Sequence, residues 1–314
     1  MVTGATGFIG QELIDKLLEQ EHEVYAIERY MTARYVLGRR TTVNTYFVDL
    51  RDYFAVKKAV AEIMPEVVMH LASISPVAYS YDHPQEVIDT NFKGTVNLAE
   101  ACLREVPHFK QFLFASTSET YGNGSCRKYE HTQQNPNSPY AVSKVASEKY
   151  LLYMKDAYNF PITILRPFNT YGRKDNSHFF VERTIVQMLT QDTVRLGDPK
   201  TVRDLLYVDD HVSAYLTCLN NGKAIGEIFN FCTGHSWQLE SIASKIADMI
   251  GFKGKVLWNT IPKRPLDIVE LWGSPDKAKS VLGWYNKVSL EEGLKRTIEY
   301  WTNKLSMGRS NDSR

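Results

Sequence analysis

Short runs that are apolar at nearly every position alternate with longer segments whose apolar residues return every three or four positions. Val24-Tyr25-Ala26-Ile27, Glu66-Val67-Val68-Met69-His70, Phe112-Leu113-Phe114-Ala115 and Ile162-Thr163-Ile164-Leu165 belong to the first kind, the pattern of strands covered on both faces. In the second kind, Leu13, Leu17 and Leu18 share one helical face, and Val96, Leu98, Ala99 and Cys102 share another. The alternation predicts an α/β fold built on a parallel sheet wound with helices. Past Arg166-Pro167 the pattern becomes irregular, mixing short strands with helices such as Leu239 to Ile250 and Leu290 to Trp301. We read a first domain over 1–167, a smaller mixed α/β region over 168–305 that is partly interlaced with it, and a polar, frayed tail over 306–314. No repeat or low-complexity stretch interrupts this plan.

Composition narrows the function. The 314 residues are 43% hydrophobic, enough for a large core, and 37 basic against 36 acidic residues leave a net charge of +1. Such a balance gives no general attraction to nucleic acid or an anionic membrane. Cys102, Cys126, Cys218 and Cys232 form no close pair, which argues against a zinc cluster and suits reduced thiols in the cytoplasm. No apolar run approaches the ~20 residues that span a bilayer, and the first residues resemble neither a signal peptide nor a basic arm.

Thr3-Gly4-Ala5-Thr6-Gly7-Phe8-Ile9-Gly10 places glycines three apart between a short strand and a helix expected from about Gln11. Glycine lets the backbone turn sharply and approach a pyrophosphate, whose charge then meets the helix N-terminus. Glu28 ends the next strand, near the ~20-residue offset at which an acidic side chain takes the adenosine ribose hydroxyls. Together they predict a Rossmann-type, doubly wound sheet that binds a dinucleotide. Arg29 could pair with a 2′-phosphate, but Glu28 would repel that phosphate, so NAD is favoured over NADP. Further on, Tyr140 and Lys144 stand one helical turn apart just after Ser138-Pro139. A phenol with a reference pKa near 10 needs positive charge nearby to act as a base at neutral pH. Lys144 and an oxidised nicotinamide ring would supply it.

With these pieces, Asp49-Leu50, His70-Leu71-Ala72-Ser73, Asn91, Ser116-Thr117-Ser118-Glu119-Thr120-Tyr121-Gly122 and Arg166-Pro167-Phe168-Asn169-Thr170-Tyr171-Gly172, nearly the whole chain resembles the extended short-chain dehydrogenase/reductase family. Within it the likeness is to nucleotide-sugar epimerases and dehydratases. The resemblance implies NAD(P) held by the glycine loop, Glu28, Arg29, Asp49, Leu50, Leu71, Ala72, Ser73, Asn91, Tyr140 and Lys144, with Asn91 supporting the lysine through backbone and water contacts. It implies a hexose between nicotinamide and Thr117. It also implies a nucleotide diphosphate held by Asn169, Arg203 and Arg264, with Val181 beside the nucleotide. The start is short, since relatives carry more strand before the glycine loop. Helices over 87–105 and 138–158 resemble those that pair across a two-fold axis, implying a homodimer through a four-helix bundle, with a tetramer as the alternative.

Glu119 narrows the chemistry. The 4-epimerases of the family need only a Ser/Thr-Tyr-Lys set, whereas in 4,6-dehydratases a base removes the C5 proton after C4 is oxidised and water leaves C6. Thr117-Ser118-Glu119 resembles GDP-mannose 4,6-dehydratases, Ser118 standing where the dTDP-glucose enzymes carry an aspartate. Phe179-Phe180-Val181-Glu182-Arg183 extends that likeness, although Arg183-Thr184 lacks their basic pair. The expected activity is a nucleotide-sugar 4,6-dehydratase with catalytic Thr117, Ser118, Glu119, Tyr140 and Lys144. The alternatives are a 4-epimerase, a UDP-glucuronate-type decarboxylase and, outside enzymes, a dinucleotide-binding regulator. His70 reads as a sheet-end histidine, while His178, His211 and His235 lack metal-ligand spacing. Tyr150, Tyr153 and Tyr158 read as packing, because no basic stripe interleaves them.

Overall fold

The middle strands are apolar on both sides because both sides are covered. The computed structural model describes residues 1–31, 37 and 42–311. In chain order its strands are β1 (Val2–Thr3), β2 (Tyr25–Glu28), β3 (Asn44–Phe47), β4 (Val67–His70), β5 (Gln111–Ala115), β6 (Ile162–Pro167), β7 (Asn169–Tyr171), β8 (Thr193–Arg195), β9 (Val202–Arg203), β10 (Leu205–Tyr207), β11 (Ile228–Phe231), β12 (Trp237–Gln238), β13 (Lys255–Leu257) and β14 (Glu270–Leu271). Seven make the main sheet in the order β11-β6-β5-β4-β1-β2-β3, every pairing parallel. Helix Phe8–Glu19 and helix Val208–Cys218 cover one face through Leu13, Ile14, Leu17, Val212 and Tyr215. Helices Tyr53–Ile63, Gly94–Glu105 and Pro139–Tyr158 cover the other through Val56, Val60, Leu98, Cys102 and Leu151.

The strand order reverses between β1 and β4, which opens a crevice beyond their C-terminal ends where ligands of such sheets bind. Residues after β6 build a second core from Tyr171, Ile185, Val194, Ile242, Leu294 and Trp301, carried by helices Phe180–Thr190, Leu239–Ile250 and Leu290–Asn311. Small sheets join it: β7 with β10, β8 with β13, and β9 between β12 and β14.

Three elements differ from the sequence pattern. The first helix begins at Phe8 rather than near Gln11, because the Gly7 N–H closes onto the Gly4 carbonyl at 3.0 Å and brings the chain into the helix three residues earlier. The single helix expected over 87–105 is divided by a wider π-helical turn, Asp89–Lys93, which carries Asn91. The last helix continues through Asn311, so most of the expected tail is helical, while residues 312–314 lie outside the described residues.

Candidate active site

β1 leads into the glycine turn. Gly4 has φ +71°, and a Cβ there would lie 2.8 Å from the Ala72 nitrogen; one on Gly10 would lie 2.2 Å from the Gly4 carbonyl oxygen. Only glycine lets β1, the loop after β4 and the first helix approach so closely. No side chain caps helix Phe8–Glu19, so the N–H groups at its start, including those of Phe8 and Ile9, are open to an anion. The Glu28 carboxylate, at the end of β2, accepts from the Thr6 N–H at 2.7 Å and the Thr6 hydroxyl at 3.1 Å. Burial pushes the Glu28 carboxyl up, and these two donors oppose it. Arg29 is engaged by Asp49 at 3.2 Å and Glu86 at 3.5 Å. Asp49 is in turn gripped by Arg51, at 2.6 Å for the shortest contact, which holds its carboxyl below the usual range. Leu50 beside it is buried, its carbonyl accepting from Asn97 at 2.8 Å.

At the end of β4 a chain of hydrogen bonds fixes one histidine tautomer. The Ala72 N–H donates to the Thr3 hydroxyl (3.1 Å), which donates to His70 Nδ1 (2.7 Å). His70 Nε2–H then donates to Thr95 (2.9 Å), whose hydroxyl donates to the Asn91 carbonyl. Burial, with the Lys144 charge adding to it, pushes the His70 imidazole down to about 3, so the ring is neutral and structural. The Leu71 N–H continues β4 onto the Thr3 carbonyl. Ser73 Oγ is buried without a partner among the described residues. Asn91 clasps the Ile74 backbone from both sides (2.8 and 3.1 Å) and donates to Ser143 at 3.1 Å. Its side chain thus reaches the Tyr140–Lys144 helix through Ser143, rather than Lys144 itself.

β5 ends at Ala115, and Thr117 caps a short 3₁₀ turn, Ser118–Tyr121, by accepting from the Glu119 N–H at 3.2 Å. Tyr140 is the second residue of helix Pro139–Tyr158, which Ser138 caps by accepting from the Ala141 N–H at 3.1 Å. One turn on, Lys144 Nζ donates to the Ala115 carbonyl at 2.7 Å and lies 6.0 Å from the Tyr140 ring centroid. Burial pushes Lys144 down to about 7 against the pull of Glu148. Burial also pushes the Tyr140 phenol well above its ordinary range; a hydrogen bond from Thr117 opposes this and the Glu119 charge adds to it. Ser118 is buried between Thr117 and Glu119. The half-buried Glu119 carboxylate makes no hydrogen bond or ion pair to a described residue, yet its field reaches both Tyr140 and Arg203.

The second half completes the cleft. Asn169 Oδ1, at the start of β7, is buried without a partner among the described residues. Arg203 in β9 is buried and held by the Val202 and Ile268 carbonyls, both at 2.8 Å; burial lowers its guanidinium and Glu119 partly restores it. Arg264 is tied to Asp267 and acts on Arg203 electrostatically. The Val181 side chain is packed in the second core, so a nucleotide would meet its backbone rather than its side chain. Sequence reasoning missed Glu148, fully buried two turns beyond Tyr140, although the spacing Tyr140, Lys144, Glu148 already placed all three on one helical face. Among the described residues no group of His, Cys, Asp or Glu could hold a metal ion.

A turn that admits no Cβ, a helix start uncapped by any described side chain and two buried oxygens without partners among the described residues fit a dinucleotide beside a polar substrate. A family model described as GDP-mannose 4,6 dehydratase matches residues 1–297. The chain belongs to the extended short-chain dehydrogenase/reductase family, in its NAD-dependent epimerase/dehydratase branch. Among its relatives is a UDP-glucose 4-epimerase of Mycolicibacterium smegmatis, 31% identical, with 97% of this chain and 98% of the relative covered. The UDP-glucose 4-epimerase of Thermotoga maritima, solved with UDP-glucose, superposes with a TM-score of 0.89 at 32% identity over 97% of this chain and 98% of that one. The enzyme of the same name from Thermus thermophilus, solved with NAD, gives 0.87 at 30% identity over 96% and 98%. As a member of this branch the chain takes NAD(P) as its cofactor.

Proposed function

We propose that this short-chain dehydrogenase/reductase is an NAD-dependent nucleotide-sugar 4,6-dehydratase acting on GDP-mannose or a close analogue. The observation that carries the reading is the half-buried Glu119 carboxylate, whose charge acts on Tyr140 and Arg203 and which bonds no described side chain. Two residues from Thr117, which binds the Tyr140 phenol, it suits removal of a proton from the sugar carbon next to the oxidised one. Tyr140 takes the proton of the C4 hydroxyl, Thr117 holds that oxygen, and Lys144 in its protonated form provides positive charge behind the phenol. The Tyr140 phenol lies above its ordinary range in the protein alone, so a further cation beside it is needed, a role that an oxidised nicotinamide fits. The glycine turn, Tyr140 and Lys144 would hold NAD, which when bound would supply hydride storage between C4 and C6. Ser118, next to the base, would guide the C6 hydroxyl as it leaves as water with the proton Glu119 removed from C5, C5 regaining a proton from solvent once hydride reaches C6, while Arg203, Arg264 and Asn169 hold the diphosphate.

A 4-epimerase is the second reading, favoured by the epimerases among the relatives and by a serine rather than a second carboxylate at position 118. Incubation with GDP-, dTDP-, UDP- and CDP-sugars, read by mass, separates these. Loss of one water from GDP-mannose is expected; an unchanged mass with an altered C4 configuration would replace the dehydratase by the epimerase, and loss of carbon dioxide from a uronate would replace both. Within the dehydratase reading, Glu119→Gln should leave C4 oxidation intact and stop exchange of the C5 hydrogen with deuterated solvent. A homodimer through helices Gly94–Glu105 and Pro139–Tyr158 is proposed as well, supported by the exposed Tyr153 and Tyr158 on the latter. Analytical ultracentrifugation giving a monomer at micromolar concentration would remove it.

A further inference from the structure

We propose that Glu148, paired with Arg166, is a positioning residue of the reaction: it holds the threonine-bearing end of β5 in register with the Tyr140–Lys144 helix and stands one turn from Lys144 as its counter-charge. The inference rests on the reading of Thr117, Tyr140 and Lys144 just given. Tyr140, Lys144 and Glu148 follow one another at intervals of one turn along a single face of helix Pro139–Tyr158. Glu148 is fully buried, and both its oxygens are fully used. One accepts from the Ser116 hydroxyl and from Arg166 Nε at 2.9 Å; the other accepts from Arg166 Nη2 at 2.5 Å and Gln134 at 2.6 Å. Arg166 Nη1 goes on to the Tyr121 hydroxyl (2.9 Å) and the Glu130 carbonyl (3.0 Å), and Tyr121 donates to Asn230 at 2.6 Å.

Consecutive residues at the end of β5 are therefore gripped by consecutive turns of one helix. Lys144 holds the Ala115 carbonyl, Glu148 holds the Ser116 hydroxyl, and the next residue is Thr117. Any slip of the helix along the strand end would break both contacts before it moved Tyr140 away from Thr117. A buried ion pair is not in itself a source of stability, since apolar side chains of similar volume often do as well. What such side chains could not do is bond Ser116 and place a negative charge beside Lys144. The groups facing Lys144 are Tyr140 and Glu148 on its own helix, the Phe114 ring of β5 at 4.9 Å and the neutral His70 of β4. Glu148 is the charge among them that favours the ammonium.

Three variants test this in the NAD-loaded protein. Glu148→Gln leaves Arg166 buried without its partner and is followed only if it folds by circular dichroism; Glu148→Gln/Arg166→Gln removes both charges together; Ser116→Ala removes one hydrogen bond and keeps the pair. Lysine side-chain NMR, assigned with Lys144→Arg, should show Lys144 titrating lower in the double variant, and lower still in Glu148→Gln where it folds, because Glu148 is the charge that favours the ammonium while loss of the guanidinium offsets part of the change. Reduction of bound cofactor in a single turnover, with GDP-mannose or whichever of the four nucleotide sugars the wild type oxidises, should then occupy a narrower pH range. Tyr140 loses its supporting cation, so the rising limb moves up; Lys144 neutralises sooner, so the falling limb moves down. Ser116→Ala should slow this turnover roughly tenfold with KM unchanged and both limbs unmoved, because only geometry is altered. An unshifted Lys144 titration in the double variant, or wild-type turnover by Ser116→Ala, would overturn the proposal. Substantial hydride transfer by Tyr140→Phe would instead reject the underlying reading, while the NMR titration still decided whether Glu148 governs Lys144.

Discussion

Replacing His70 with glutamine should remove a specific portion of the acid sensitivity of the fold. Burial first, and then the Lys144 charge, lower the His70 imidazole from 6.5 to about 3. As pH falls through 6.5 the unfolded chain takes up this proton, whereas the folded ring stays neutral until about 3. The unfolded state then binds more protons, so stability present above the unfolded value is lost on acidification. At ~1.4 kcal/mol per pH unit below the unfolded value, the loss between about pH 7.5 and about pH 5 is about 2 kcal/mol. That figure is insensitive to the folded value as long as it lies well under the lower pH. His211, lowered to about 3 by burial and then by Arg173, acts in the same direction. Asp204, pushed up to about 6 by burial against bonds from Thr233 and Gly234, protonates first in the fold and acts in the opposite one. The readout is therefore the difference between wild type and His70→Gln, in which both other groups cancel. Glutamine can still bond Thr3 and Thr95 but does not titrate. Urea unfolding at the two pH values should show the variant less stable by ~1–2 kcal/mol near neutrality, with the gap closing by about 2 kcal/mol in acid. Parallel loss of stability in the two proteins would refute a neutral ring joined to Thr3 and Thr95.

Other outcomes follow from the same geometry. Tyr140→Phe should retain NAD while hydride transfer falls by at least ~10²-fold, measured as reduced-cofactor absorbance in a single turnover. Glu28→Ala should narrow a preference for NAD over NADP that titration of the unmodified protein is expected to show; clear NADP preference in that protein would assign control to Arg29. Gly10→Ala, whose new methyl would lie 2.2 Å from a backbone oxygen, should lower the unfolding free energy by about 1–3 kcal/mol and weaken NAD binding, read by denaturant melts and by calorimetry.

The features legible in the sequence were those written in local spacing. β4, β5 and β6 appeared as apolar runs because parallel strands covered on both faces leave few polar positions. The glycine turn appeared because each glycine answers a close backbone approach, and Tyr140 with Lys144 because one helical turn brings them together. What escaped notice depends on partners far apart in the chain. Glu148 meets Ser116, Gln134 and Arg166 from three other segments, and nothing around any of them announces the pairing. The π-helical turn at Asp89–Lys93 follows from how Asn91 must face Ile74 and Ser143, a demand of tertiary packing that helical periodicity cannot express.

The pairing of Arg29 with both Asp49 and Glu86 bears on how cofactor preference could change over evolutionary time. Those carboxylates lie on separate segments, and Glu28 stands next to the arginine in the chain. A lineage moving toward a 2′-phosphorylated cofactor would have to silence acidic groups in three places before one guanidinium became available to the phosphate. Each substitution alone would disturb the existing grip without creating the new one. Single mutations such as Glu28→Ala should therefore narrow the preference without inverting it, and a laboratory search for reversal would need libraries that vary positions 28, 49 and 86 together.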